Sequence, residues 1–143
     1  MPSSPIQKYL DALHARVSKQ SDGHVADYIP ELALIDADHF GICIASHDGF
    51  LYQAGDSDQP FTIQSISKAL TYGLALEDNG EEAVLARIGV EPSGDAFNAI
   101  SLQPQTGAPL NPLINAGAIA ACGLISGSTV EDRISRILDV FSR

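Results

Sequence analysis

The stretch "PFTIQSISKALTYGLALEDNG", Pro60–Gly80, sets a serine one helical turn ahead of a lysine, Ser65 and Lys68, at the mouth of an apolar run. "GDSDQP" before it and "EDNG" at its end are breaking signals, so the pattern predicts a helix from Gln64 or Ser65 to about Glu77. Residues three apart on a helix are neighbours, so the Lys68 amine can fold back toward the Ser65 hydroxyl. Serine is a weak nucleophile at neutral pH. A lysine desolvated by an apolar pocket, near the positive end of a helix, can take its proton. First-turn N–H groups without a helical partner then become candidate oxyanion donors. Ser67 is the rival nucleophile, but adjacent helical side chains point about 100° apart, and Ser65 meets Lys68 better. The same pattern fits the polar edge of a core helix, and the spacing alone does not separate the two.

Outward from this helix, the order of elements reads as helix-rich α/β. Ile6, Leu10, Leu13 and Val17 recur at three- and four-residue spacing in an amphipathic helix over Ser3–Lys19, with Ser3 or Ser4 before Pro5 as its start. "FGICIAS", Phe40–Ser46, suits a strand buried on both faces; "HDG" supplies a turn, and "FLYQA" returns as the second strand of a β-hairpin. A hairpin alone is marginal in water and needs further strands or a helix layer. After Gly80 a short helix is expected at Glu81–Ile88. A long ordered loop follows from Gly89 to Pro112, where Glu91 and Asp95 read as loop-fixing hydrogen-bonding groups. "NAGAIAACGLISG", Asn115–Gly127, reads as a helix whose small residues Gly117, Ala121 and Gly123 let another backbone come close. Ser128 then begins a capping box with Glu131, opening an amphipathic helix to about Phe141.

Composition narrows the partners. The chain has 143 residues, 45% of them hydrophobic, and a mean hydropathy of +0.07, enough apolar surface for one core. A net charge of -10 with eight scattered Lys and Arg gives no footprint for nucleic acid. The start has no basic segment followed by an apolar one, and the longest apolar run, Ala116–Ile125, is about half of a membrane span, so no membrane is expected and the cytoplasm is the expected compartment. Cys43 and Cys122 sit in apolar runs and read as buried free thiols. No His, Cys, Asp or Glu set has metal-ligand spacing, and no Walker loop or dinucleotide fingerprint is present, so neither metal nor organic cofactor is expected.

Four stretches, taken in order and spacing, carry a resemblance: "VADYIP" (Val25–Pro30), "PFTIQSISK" (Pro60–Lys68), "GVEPSGDAFN" (Gly89–Asn98) and "NPLINAGAI" (Asn111–Ile119). Together they resemble the glutaminase family, amidohydrolases that share a fold with serine β-lactamases and penicillin-binding proteins. The resemblance implies a helix-rich portion of that α/β (α+β) fold with an N-terminal hairpin, residues 1–143 forming one incomplete catalytic domain. It implies hydrolysis of L-glutamine to L-glutamate and ammonia with Ser65 as acyl-forming nucleophile and Lys68 as base. Tyr28 and Gln64 match substrate-facing positions, and Asn115 matches the one that holds the amino-acid head group. For Tyr28 the alternative is a core tyrosine with a satisfied hydroxyl; for Asn115 it is a helix N-cap, and the two roles are compatible. The "EPSG" loop is expected to shape the site wall. A homo-oligomer, dimer or tetramer, is the expected assembly. Because the match covers about the first half of the family's catalytic domain, an inactive truncated module acting in assembly or binding stays open as a further reading; the shared Ser-x-x-Lys spacing leaves open a third, a penicillin-interacting serine acyltransferase.

Overall fold

Ser4 opens the first helix as the sequence predicts: its hydroxyl accepts the Ile6 N–H at 3.2 Å and Pro5 supplies a preset first turn for α1 (Pro5–Val17). The computed structural model describes residues 4–142; Ser3, the other expected start, lies outside them. The chain divides after Phe61 into two units.

In the first unit, β1 (Gly41–Ala45) and β2 (Leu51–Gly55) form an antiparallel hairpin in which Ile42 faces Ala54 and Ile44 faces Tyr52. Helix α1 packs along it. The Gln7 amide donates to the Gln53 carbonyl at 2.7 Å and accepts the Gln53 N–H at 3.3 Å, as a neighbouring strand would, which blunts the outer edge of β2. Further along α1, the His14 ring stacks on Phe40 and its Nε2 lies 3.1 Å from the Phe40 carbonyl. Leu10 is the buried anchor between these contacts. The expectation of a strand buried on both faces is corrected: Gly41, Cys43, Ile44 and Ala45 are exposed. Two strands and one helix cannot cover both faces of a sheet, and Cys43 is consequently an exposed thiol.

The second unit is helical: α2 (Ile66–Asn79), α3 (Glu81–Leu85), α4 (Asn115–Leu124) and α5 (Val130–Phe141). Leu74 and Ala75 of α2, Val84 of α3, Ile88, and Ala121 with Ile125 form its core. Gly80, at φ +79°, turns α2 into α3 where a side chain would be strained. The small-residue face of α4 is real for Gly117 and Ala121, both buried, but not for Gly123, which faces open space. Six residues separate Gly117 from Gly123, and at about 100° per residue they cannot share a face. Cys122, one step round from Ala121, is exposed rather than buried. The capping box of α5 also lies one residue later than expected: Thr129 Oγ1 accepts the Asp132 N–H and Asp132 Oδ2 accepts the Thr129 N–H. Thr129 with Asp132 keeps the three-residue spacing that the box requires, leaving Glu131 outside it.

Asp78 fastens α2 to α5. Its carboxylate, 3% exposed, accepts the Ser126 N–H at 2.8 Å and the Arg136 Nε–H at 3.1 Å. The Arg136 guanidinium, and to a lesser extent the Ser126 N–H, hold the Asp78 carboxyl below its ordinary value of 3.8 against the opposing effect of burial. A depressed carboxylate stabilises the fold above its unfolded value and loses that contribution as pH falls through the folded one, so the link weakens only in acid below about pH 4. Asp78→Ala is expected to lower stability by about 1–2 kcal/mol through loss of its hydrogen bonds with Arg136 and Ser126. The urea midpoint at pH 7 checks this; the difference from wild type should shrink below pH 4.

Candidate active site

Ser65 occupies the N-cap position at the entrance of α2, but its side chain does not cap the helix. Its backbone is in the helical region, its side chain makes no capping bond, and among the described residues its hydroxyl has no hydrogen-bond partner. Ser67 is different: its Oγ donates to the Gln64 carbonyl at 2.7 Å. The expectation about oxyanion donors is narrowed by the same turn. The Ile66, Ser67 and Lys68 N–H groups are taken by the carbonyls of Ile63, Gln64 and Ser65, whereas the Ser65 N–H has no acceptor among the described residues.

The residue before it is strained. Gln64 has φ +43°, a left-handed backbone that non-glycine residues rarely adopt, and its Nε2 donates to Thr62 Oγ1 at 3.0 Å. Such strain costs about 1–3 kcal/mol and persists where surrounding structure fixes it. Here it sets the exposed Ser65 at the abrupt start of the helix.

Lys68 lies on the same helix one turn on, and its Nζ donates to Asn115 Oδ1 at 2.7 Å and to the Leu113 carbonyl at 3.0 Å. No direct bond joins Nζ to the Ser65 hydroxyl. Asn115 is the first residue of α4; the cap position is Ile114, so the N-cap alternative for Asn115 is not realised. Instead its carbonyl oxygen faces Lys68. An open groove lined by Asn98, Ile100, Leu102, Pro109 and Ile119 borders Asn115.

The loop before α4 holds this arrangement. Asn111 Oδ1 accepts the N–H groups of Leu113 and Ile114, and its Nδ2 donates to the Glu91 carbonyl at 3.0 Å. Asp95 accepts the Ser101 hydroxyl at 2.6 Å, a loop-fixing role as expected. Sequence reasoning missed Asn111 and the Leu113 carbonyl. The signal for Asn111 was its place before Pro112, where a side-chain oxygen commonly closes a turn; a backbone carbonyl leaves no sequence signal.

The second unit therefore brings Lys68 and Asn115 into contact and carries Gln64 and Ser65 at the same helix entrance. Tyr28 belongs to the first unit, in the turn that follows α1. The residue is 71% exposed and its hydroxyl has no partner among the described residues, so it is not a core tyrosine. Among the described residues no cluster of His, Cys, Asp or Glu could hold a metal ion, and no helix is long and apolar enough to cross a membrane.

The sequence model of the glutaminase family matches residues 23–143. The chain belongs to the glutaminase family. Over 140 residues it is 52% identical to the glutaminase of Nostoc sp., covering 98% of this chain and 42% of that relative. It is 46% identical over 144 residues to the glutaminase of Corynebacterium glutamicum, covering 99% of this chain and 35% of the relative. A solved probable glutaminase superposes with a TM-score of 0.91 at 42% identity, over 98% of this chain and 46% of that one. Mglu in its tris and glutamate form does so at 0.89 and 43% identity, over 98% and 32%. The chain thus spans less than half the length of these relatives. The fold class agrees with expectation: mixed α/β with a two-stranded hairpin, its solved neighbours being glutaminases of the β-lactamase-like fold.

Proposed function

We propose that these residues form the acylating part of a glutaminase site that hydrolyses L-glutamine to L-glutamate and ammonia. The observation that carries the reading is the uncommitted Ser65 hydroxyl one helical turn from a lysine whose amine is anchored on Leu113 and Asn115. Ser65 Oγ attacks the side-chain amide carbon of glutamine while Lys68 Nζ takes its proton. The tetrahedral oxygen receives the Ser65 N–H. Collapse expels ammonia, protonated by Lys68, and leaves an ester on Ser65; water, deprotonated by Lys68, cleaves it to glutamate. Asn115 accepts the Lys68 ammonium on its Oδ1 and so keeps its Nδ2 to donate to the substrate carboxylate. Tyr28 and Gln64 are read as substrate-facing residues, the one offering a phenol and the other an amide. The route needs no metal or organic cofactor.

The two units are read as parts of one catalytic domain, acting in the cytoplasm as a homo-oligomer, dimer or tetramer. The assembly has support in α5, where Val130, Ile134 and Leu138 form an outward apolar stripe, each more than half exposed. The same stripe favours the second reading, an inactive assembly module. A glutamine titration alongside sedimentation separates them, since a pure assembly module associates without binding glutamine.

The primary test is ammonia release from glutamine against hydrolysis of a chromogenic β-lactam, with a glutamyl adduct on Ser65 sought by intact mass. Turnover of the β-lactam alone would assign the acyltransferase reading instead. Lys68→Arg should lower turnover nearly as far as Lys68→Ala, by about 10²–10⁴-fold, because a guanidinium keeps its proton and cannot act as a base. Substantial activity in Lys68→Arg would make the role of Lys68 electrostatic.

A further inference from the structure

Two groups of one residue converge on the Lys68–Asn115 pair. The Phe97 carbonyl accepts the Asn115 backbone N–H at 2.9 Å, tying down the start of α4. The Phe97 ring faces Lys68, with Nζ 5.6 Å from its centroid. Core packing does not account for Phe97, a residue that is 59% exposed. The loop around it is nonetheless fixed: the Asp95–Ser101 hydrogen bond spans it and the Ala99 N–H returns to the Ala96 carbonyl. The negative face of an aromatic ring attracts an ammonium group within about 6 Å. Leu113 and Asn115 hold the amine through oxygens; the ring adds a third contact, from an aromatic face rather than a hydrogen-bond acceptor, on a side chain with four rotatable bonds.

We infer that Phe97 is a positioning residue for Lys68, an inference that rests on the reading of Lys68 as the base. Its ring limits the amine to the rotamer that meets Asn115 Oδ1 and the Leu113 carbonyl, while its carbonyl fixes the residue that presents Oδ1. Substituting the side chain leaves the carbonyl in place and so isolates the ring.

The lysines of the chain are Lys8, Lys19 and Lys68. With carbon-13 at the lysine ε position, the Lys68 methylene protons should resonate upfield of the other two through the ring current, assigned by their disappearance in Lys68→Arg. In Phe97→Leu the signal should return to the position of the others, and trace acetylation of Lys68 by acetic anhydride should rise about two- to fivefold relative to Lys8 and Lys19. Phe97→Tyr should preserve both wild-type behaviours. A wild-type Lys68 signal that coincides with the others overturns the inference, and so does an unchanged acetylation rate in folded Phe97→Leu. Should the leucine variant not fold, the wild-type and tyrosine spectra still decide, because loss of the upfield shift in either contradicts the placement. Neither readout needs turnover, so failure of the base assignment, seen as activity in Lys68→Arg, is distinguishable from failure of the positioning role.

Discussion

Ser65→Ala should abolish glutamine turnover, by about 10⁴-fold or more, while Ser67→Ala keeps most of it. The two serines are two positions apart but differ in what their hydroxyls do. Ser67 Oγ is bound to the Gln64 carbonyl at 2.7 Å, a contact that satisfies the hydroxyl and holds it against its own backbone. Among the described residues Ser65 Oγ has no such partner and its N–H no acceptor, so attack and oxyanion stabilisation can start from one residue. The left-handed backbone of Gln64 stands immediately before this residue and ends any backward continuation of α2. The measurement is ammonia release in any preparation that turns over glutamine, with circular dichroism to confirm that both variants fold. A Ser67→Ala variant as inactive as Ser65→Ala, both folded, would reassign the nucleophile.

What could be read from the sequence, and what could not, follows from distance along the chain. Ser65 and Lys68 are three residues apart, so helical geometry alone relates them. Asn115 reaches Lys68 across 47 positions, and nothing in the periodicity of either helix records the pairing; the family resemblance implies a role for Asn115 but not its bond to Lys68. Phe97 and the Leu113 carbonyl lie in the loop where periodicity is weakest. The expected burial of the first hairpin strand failed for another reason. Alternating isoleucines state that a strand tolerates burial, whereas burial itself depends on what else is present to cover it, and here that is one helix. The capping box missed by one residue because Ser128 and Thr129 are chemically equivalent as caps, and the choice rests on whether Glu131 or Asp132 answers from three residues on.

Gly117→Ala should destabilise the second unit by about 3 kcal/mol or more, while Gly123→Ala on the same helix should be neutral or stabilising by up to about 1 kcal/mol. Both replace glycine by the best helix former, so propensity favours both equally. Space separates them. A methyl group at Gly117 would fall 1.9 Å from the Asn111 carbonyl oxygen and 2.8 Å from the Pro112 Cα, backbone atoms that cannot rotate aside. Nor can the segment back away without cost, because the Asn111 side chain binds the Leu113 and Ile114 N–H groups on one side and the Glu91 carbonyl on the other. At Gly123 nothing lies within 4 Å. Overpacking against fixed backbone outweighs the roughly 1 kcal/mol of helix propensity at the first position and has nothing to oppose it at the second. Urea midpoints of the two variants against wild type make the comparison. The same displacement would carry the Leu113 carbonyl away from Lys68, so in Gly117→Ala the Lys68 ε-methylene signal should move as well as the midpoint. A Gly117→Ala variant at least as stable as wild type would mean that α4 does not lie against Asn111 and Pro112, and with it the anchoring of Lys68 would be lost.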